Sequence, residues 1–388
     1  MRKEQNTKRQ ETHAREQKQL LAAKYFVKLI RAVLEEKEPE PKPESLTMNQ
    51  IFQTAKKHNL ECLVYHAAVK IVDAGDDSVM QNWNRTRQIY TAQNSMQQKE
   101  IVNLCRMLPE DGIRVLPLKG CIMKQIYPKA EYRQMLDIDL LIDESNRKKV
   151  CEILKKSGYT FEGSDSDDTV DHYIKKPWIN LEIHTQMIPF QYENSRRYQD
   201  IWERCEEQNQ IYRMNWDDYY VFLIEHFAKH FYYSGCGIRF LLDVYIFLEK
   251  KGKFLNQKYL KKEFEKRNLE SFRRKMEHFS YRWFGDTGEI GNSEEERAIM
   301  LSSTFGNKEQ YCRNMKKKVQ EESKASWLVP FIYIKRRVFL GYHEMCGGYP
   351  ILKKCPLLLP VTWGIRVAKG IYGKRKQIIV ELKRLKKR

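Results

Sequence analysis

The segment from Met135 to Ile142 reads MLDIDLLI, an apolar run interrupted only by Asp137 and Asp139. Apolar and acidic residues alternate here, as they do on a buried strand, where residues i and i+2 point to one face. The two carboxylates therefore converge. Two like charges in an apolar strand are costly unless a cation neutralises them. Hard oxygen ligands select magnesium or manganese. An aspartate pair solvated on an edge strand, or capping neighbouring helices, would show the same letters.

The residues around this strand indicate an α+β core. Ile113 to Leu116 is β-prone and follows the turn signal Asp111-Gly112. Asp143 is placed to cap a helix over 144–157, which Gly158 ends. Further strands are predicted around 159–162, 172–175 and 179–186. Strands and helices alternate and then give way to a meander of strands. Before this core, Leu21, Tyr25, Leu29 and Val33 recur every fourth residue of a helix, and Pro39 to Glu44 break it. Thr47 and Gln50 form a capping-box pattern, and a long helix is expected over about 78–108, with Trp83 and Met96 among its apolar contacts. Beyond residue 200 the pattern turns helical again, with Asp217 as the expected cap of an apolar helix to about Tyr233. The resulting division is an N-terminal helix and linker (1–45), a helical region (46–110), an α/β core (111–200), a helical domain (201–340) and a basic tail (341–388).

A third acid follows the aspartates by about forty-five residues, in Ile179-Asn180-Leu181-Glu182-Ile183-His184. Glu182 lies on the face opposite Leu181 and Ile183. If this strand lies beside that of Asp137 and Asp139, three carboxylates meet, as in-line nucleotidyl transfer with two metals requires. His184 shares the side of Glu182 and reads as a substrate contact or a surface residue. Upstream, Leu118-Lys119-Gly120 falls where a strand passes into a helix. Lys119 offers a positive charge to a triphosphate, and Gly120 permits close backbone approach. Arg133 offers a second charge for phosphate. Viewed alone, each of these is also an ordinary turn or surface residue.

The combination of Leu118-Lys119-Gly120, Arg133, Asp137-Ile138-Asp139-Leu140-Leu141 and Leu181-Glu182-Ile183-His184 resembles the uncharacterised bacterial nucleotidyltransferase family, over roughly residues 45–250. The resemblance implies the polymerase-beta-like nucleotidyltransferase fold, a mixed sheet with flanking helices, here embedded in mainly helical N- and C-terminal regions. It implies an NTP substrate, an unidentified hydroxyl acceptor and magnesium or manganese held by Asp137, Asp139 and Glu182. The superfamily usually carries Gly-Ser at its phosphate-binding turn, where this chain has Lys119-Gly120. A catalytically inactive binding protein on the same fold is one alternative, and a nucleic-acid- or membrane-surface-binding protein that acts through its basic tail is another.

His226 and His230 share a helical face at a spacing zinc can use, but no third ligand is evident, and a core or capping role accounts for them. Asp243, among apolar neighbours, needs a partner, and Arg239 stands four residues before it. The nine cysteines form no CxxC pair, which fits reduced thiols. The N-terminal sequence has no apolar core, so a cytoplasmic location is expected.

The formal charge is +19, and from Lys353 to Arg388 twelve basic residues face one acid, Glu381. Together with the apolar stretch Leu357 to Trp363, this tail suits an anionic membrane surface, RNA or DNA, or simple solvation. In the first case the protein is peripheral at the membrane.

Overall fold

A computed structural model describes residues 2–165, 168–188, 197–285, 290–304 and 351–368, with individual positions between 306 and 349. The basic run from Lys374 to Arg388 lies outside them.

The α/β core is a five-stranded mixed sheet: β1 (Leu116–Pro117), β2 (Ile138–Leu141), β3 (Thr160–Ser164), β4 (Val170–Lys175) and β5 (Ile179–His184), in the order β1-β2-β5-β4-β3. Only β2 and β5 run parallel; the other pairings are antiparallel. Alternation along β2 sends Ile138 and Leu140 to one side, where they join Leu181 and Ile183 of β5. There they pack under Leu104 and Leu108 of the long helix α4 (Asp77–Glu110), and under Val150 and Leu154 of α6 (Arg147–Lys156). Asp139, Glu182 and His184 take the intervening positions and face the helical half of the molecule.

That half combines helices from both ends of the described chain. They are α1 (Arg2–Leu34), α2 (Met48–His58) and α3 (Glu61–Ala68) before the sheet, with α8 (Trp216–Tyr233), α9 (Ile238–Lys251), α10 (Gln257–Lys266), α11 (Glu270–Phe284) and α12 (Glu294–Leu301) after it. A short helix α5 (Gly120–Ile126) follows β1, and α7 (Ile201–Arg204) leads into a hairpin of β6 (Cys205–Gln208) and β7 (Ile211–Met214). One hydrophobic cluster runs through this half, from Phe26 and Phe52 to Tyr220, Phe247 and Trp283.

Several local expectations hold. Thr47 and Gln50 form the capping box, Trp83 is fully buried, and Gly158 ends α6 at φ +85°. Others change for identifiable reasons. Among the described residues, only the second half of α1 is buried, with Leu20, Ala22, Ala23, Tyr25, Phe26, Val27, Leu29 and Ile30 packed among α2, α3, α11 and α12 while Leu21 is exposed, so its buried face is wider than the stripe expected and excludes one of its members. Asn215, not Asp217, caps α8, because its side chain accepts from the amide of Asp218. Asp143 does not cap a helix; its carboxylate takes the Arg114 guanidinium, and a 3-10 turn precedes α6. The seven described cysteines are all free thiols. No helix among the described residues is long and apolar enough to cross a membrane.

One buried ion pair fastens the two halves. Arg133, in the loop before β2, donates to both oxygens of Asp243 on α9, from Nε at 3.1 Å and Nη2 at 2.9 Å. Tyr127 donates to the same carboxylate at 2.7 Å. The expected partner, Arg239, instead donates to the Gln134 carbonyl at 3.0 Å. Burial opposes the charge on Arg133, but Asp243 outweighs it and holds the guanidinium pKa above its ordinary value. Breaking such a pair leaves a buried charge uncompensated. Asp243→Ala should therefore lower stability by about 3–5 kcal/mol in urea unfolding. A loss under about 1 kcal/mol would mean that the pair does not hold the halves together.

Candidate active site

The site begins with register. In the parallel pairing of β2 and β5, Asp139 lies beside Glu182, and Leu141 beside His184. Neighbouring side chains on one face of a sheet project together. His184 Nε2 lies 2.9 Å from Asp139 Oδ1 and 3.3 Å from Glu182 Oε2. One ligand atom from each of these three residues lies within 4.8 Å of the others. His184 is thus a buried member of the cluster.

Lys119 completes it. Its Nζ is 2.6 Å from Asp139 Oδ1 and 3.9 Å from Glu182 Oε2. Burial opposes the lysine's charge, but Asp139 and then Glu182 override it and raise the pKa. Burial also works against the Asp139 carboxylate, which Lys119 and His184 hold well below its usual range. The lysine reaches this point from a strained backbone: φ is +42° and ψ −113°, a conformation that suits glycine. Tyr219 of α8 helps to fix the turn by donating to the Lys119 carbonyl at 2.9 Å.

Asp137 stands just before β2 and lines the same cavity, but lies outside the three-residue cluster. Burial, then Glu182, then Asp139 push its carboxyl from 3.8 up to about 6. Gly120 is closely packed: a Cβ there would stand 2.6 Å from the Met135 sulfur and 3.2 Å from Arg133 Nη1, so the Met135 side chain would have to move. Arg133 also reaches the cavity wall. Its expected role against phosphate meets a physical obstacle, because Asp243 already occupies its guanidinium bidentately.

These groups form one wall of a cavity of about 560 Å³. The other wall comes from α8 and α9 and includes Phe222, His226, Lys229, His230 and Phe240. His172 of β4 adds an imidazole 3.6 Å from Glu182 Oε1. The spacing of His226 and His230 is visible in the sequence, but their place opposite the carboxylates is not. Nothing local marks Tyr219 or His172 as part of the site.

A profile for an uncharacterised nucleotidyltransferase family matches residues 44–285, well over half of the chain. The chain belongs to this family. The match begins in the linker before α2 and ends just after α11, so it takes in the sheet, the carboxylate cluster and both cavity walls. No curated protein and no solved structure matches significantly.

The donor set fits a divalent cation: two carboxylates and an imidazole converge, and a third carboxylate stands nearby. An ammonium group already neutralises that point, which shows that the cluster favours positive charge.

These electrostatics can be tested at two residues. Because the folded pKa of Asp137 is raised, its contribution to stability is present below about pH 4 and lost as pH rises through about 6. In chelator at pH 7, Asp137→Asn should be more stable than the parent, on the order of 2 kcal/mol, with the gap closing toward pH 4. A gap independent of pH would count against the raised carboxyl. For Lys119, substitution by Met removes the ammonium, whereas Gly also releases the backbone. In denaturant titrations the Gly variant should exceed the Met variant by roughly 1–3 kcal/mol. Equal stabilities would show that the turn is unstrained.

Proposed function

We propose that this chain transfers a nucleoside monophosphate from an NTP to a hydroxyl-bearing acceptor. The observation that carries this reading is the pairing of Asp139 with Glu182 across β2 and β5, within hydrogen-bonding reach of His184 and beneath an open cavity, in a chain of the nucleotidyltransferase family.

Asp137, Asp139 and Glu182 are the proposed holders of magnesium or manganese, and His184 either adds a ligand or orients Asp139. Bound there, the cation would neutralise triphosphate charge and acidify the attacking hydroxyl. The acceptor hydroxyl would lose its proton to a site carboxylate or to solvent, its oxygen would bond to the α-phosphorus, and the bond from that phosphorus to the β-phosphate oxygen would break, so that pyrophosphate leaves. The chain's own groups position this exchange. A cation held by Asp139 would compete with the Lys119 ammonium for that carboxylate and would leave the ammonium, on its fixed turn, available to phosphate. Gly120 keeps the turn close to Met135, and Arg133 braces the wall through Asp243.

The position of Lys119 also favours a second reading, a binding protein on the same fold that has lost catalysis, since the lysine already satisfies Asp139. We further propose a cytoplasmic location with peripheral contact to an anionic surface, membrane or nucleic acid, through the basic tail. Leu357, Val361 and Ile365 are exposed at helical spacing just before the most basic stretch, which supports the membrane case.

Magnesium-dependent release of pyrophosphate from NTPs, assayed across candidate hydroxyl acceptors, tests the enzyme reading. Asp139→Ala should abolish release. Release that survives this substitution would remove Asp139 from the reacting site, and magnesium-dependent NTP binding without turnover under any acceptor would shift the assignment to the binding protein.

A further inference from the structure

The carboxylate wall of the cavity has a role in the reaction proposed above, but the opposite wall has none. Phe222, His226 and His230 follow one another at intervals of four along α8, so they share one face. Phe240 of α9 packs against them. His226 stacks on Phe240 at 26° with centroids 5.8 Å apart, and His230 lies 5.3 Å from the same ring. The two imidazoles are 4.5 Å apart edge to face, and Phe222 continues the row 6.1 Å from His226. All four residues line the cavity.

The two histidines are electrically quiet. Burial lowers both pKa values, His230 to about 4, and for each the positive charges of Lys119 and Lys229 act in the same direction. A neutral imidazole carries one N–H donor and one acceptor nitrogen. Among the described residues, neither ring has a hydrogen-bond partner, so both keep that capacity for whatever enters the cavity.

The ring cluster itself carries no charge to attract phosphate, although Lys229 and Arg239 stand beside it on the same wall. It offers flat aromatic faces and a few neutral hydrogen-bonding groups, the combination that holds a planar heterocycle. We infer that the ring cluster of Phe222, His226, His230 and Phe240 is the subsite for the nucleobase of the NTP, with the base stacked on the rings and its polar edge met by the two imidazoles. The inference rests on the nucleotidyl-transfer reading and extends it to substrate selection. Binding base and triphosphate on opposite walls would direct the α-phosphate toward Asp139 and Glu182.

The test is titration calorimetry with the four NTPs and with inorganic tripolyphosphate, each with magnesium. Three forms of the full chain are compared: the parent, His226→Ala/His230→Ala and His226→Phe/His230→Phe. In the parent, the preferred NTP should bind at least about tenfold tighter than tripolyphosphate, the increment expected of one stacked base. The alanine pair should lose that advantage and leave tripolyphosphate binding unchanged. The phenylalanine pair preserves ring packing and guards against a folding defect; it should keep the advantage over tripolyphosphate but bind the four NTPs alike.

Equal binding of NTPs and tripolyphosphate to the parent, both lost on Asp139→Ala, would overturn the base subsite and leave the reaction reading intact. The subsite is likewise overturned if the alanine pair weakens tripolyphosphate as much as NTP, or if it leaves NTP binding intact and raises only the KM of an acceptor. Failure of both ligands to bind would remove the reaction reading and the subsite together.

Discussion

The arrangement of this protein depends on one strand pairing. β2 and β5 are the only parallel neighbours in the sheet, and their register sets Asp139 beside Glu182. A slip of one residue would turn every side chain of β5 to the other face. Leu181 and Ile183 would then leave the core beneath α4 and α6, and Glu182 and His184 would enter it. Hydrophobic burial on one face therefore enforces the meeting of carboxylates on the other. The core supplies the energy that holds these like charges together, without any favourable interaction between them.

Lys119 makes that concentration of charge tolerable. Its ammonium lies against Asp139 and within reach of Glu182, at a point where the carboxylates would otherwise repel in a partly buried site. The same residue carries an unfavourable backbone conformation, which a glycine would relieve. A side chain kept at a strained position implies that the charge it delivers matters more than the strain it costs. The turn is held from both sides, by Tyr219 on its carbonyl and by the close packing of Gly120 on Met135. The lysine thus behaves as a fixed part of the cluster, whose charge a divalent cation and a triphosphate would together redistribute.

Much of this can be read from the sequence, because alternation is a local signal. The strand around Asp139, the strand bearing Glu182 and His184, the capping box at Thr47 and the long helix ending before Gly112 all announce themselves within a few residues. Contacts between distant segments do not. Arg239 sits one turn before Asp243, the spacing of a helical ion pair, yet Arg133, 110 positions away in sequence, takes the carboxylate. The two cations compete for one anion. Arg133 can place its fork flat against it, while Arg239 is directed to a carbonyl. In the same way, the histidines of α8 show only a helical spacing. Their position across a cavity from Asp139 follows from how α8 and α9 pack on the turn at Lys119, which no local pattern encodes.

Charge in the cavity constrains what can occupy it. Its walls carry the carboxyl groups of Asp137, Asp139, Asp165, Glu182, Glu225 and Asp243 against the cations of Lys119, Arg133, Lys229 and Arg239. Arg133 is already committed to Asp243 and Lys119 to Asp139. A triphosphate brings several further negative charges into a site that is acidic on balance, although the protein as a whole carries +19. The overall positive field can draw a polyanion toward the surface, but it cannot offset repulsion at contact distance, where local groups dominate. On the proposed reading, an NTP would therefore have to enter accompanied by cations. On this basis metal dependence would arise from the distribution of charge along two walls, and not from the carboxylate cluster alone.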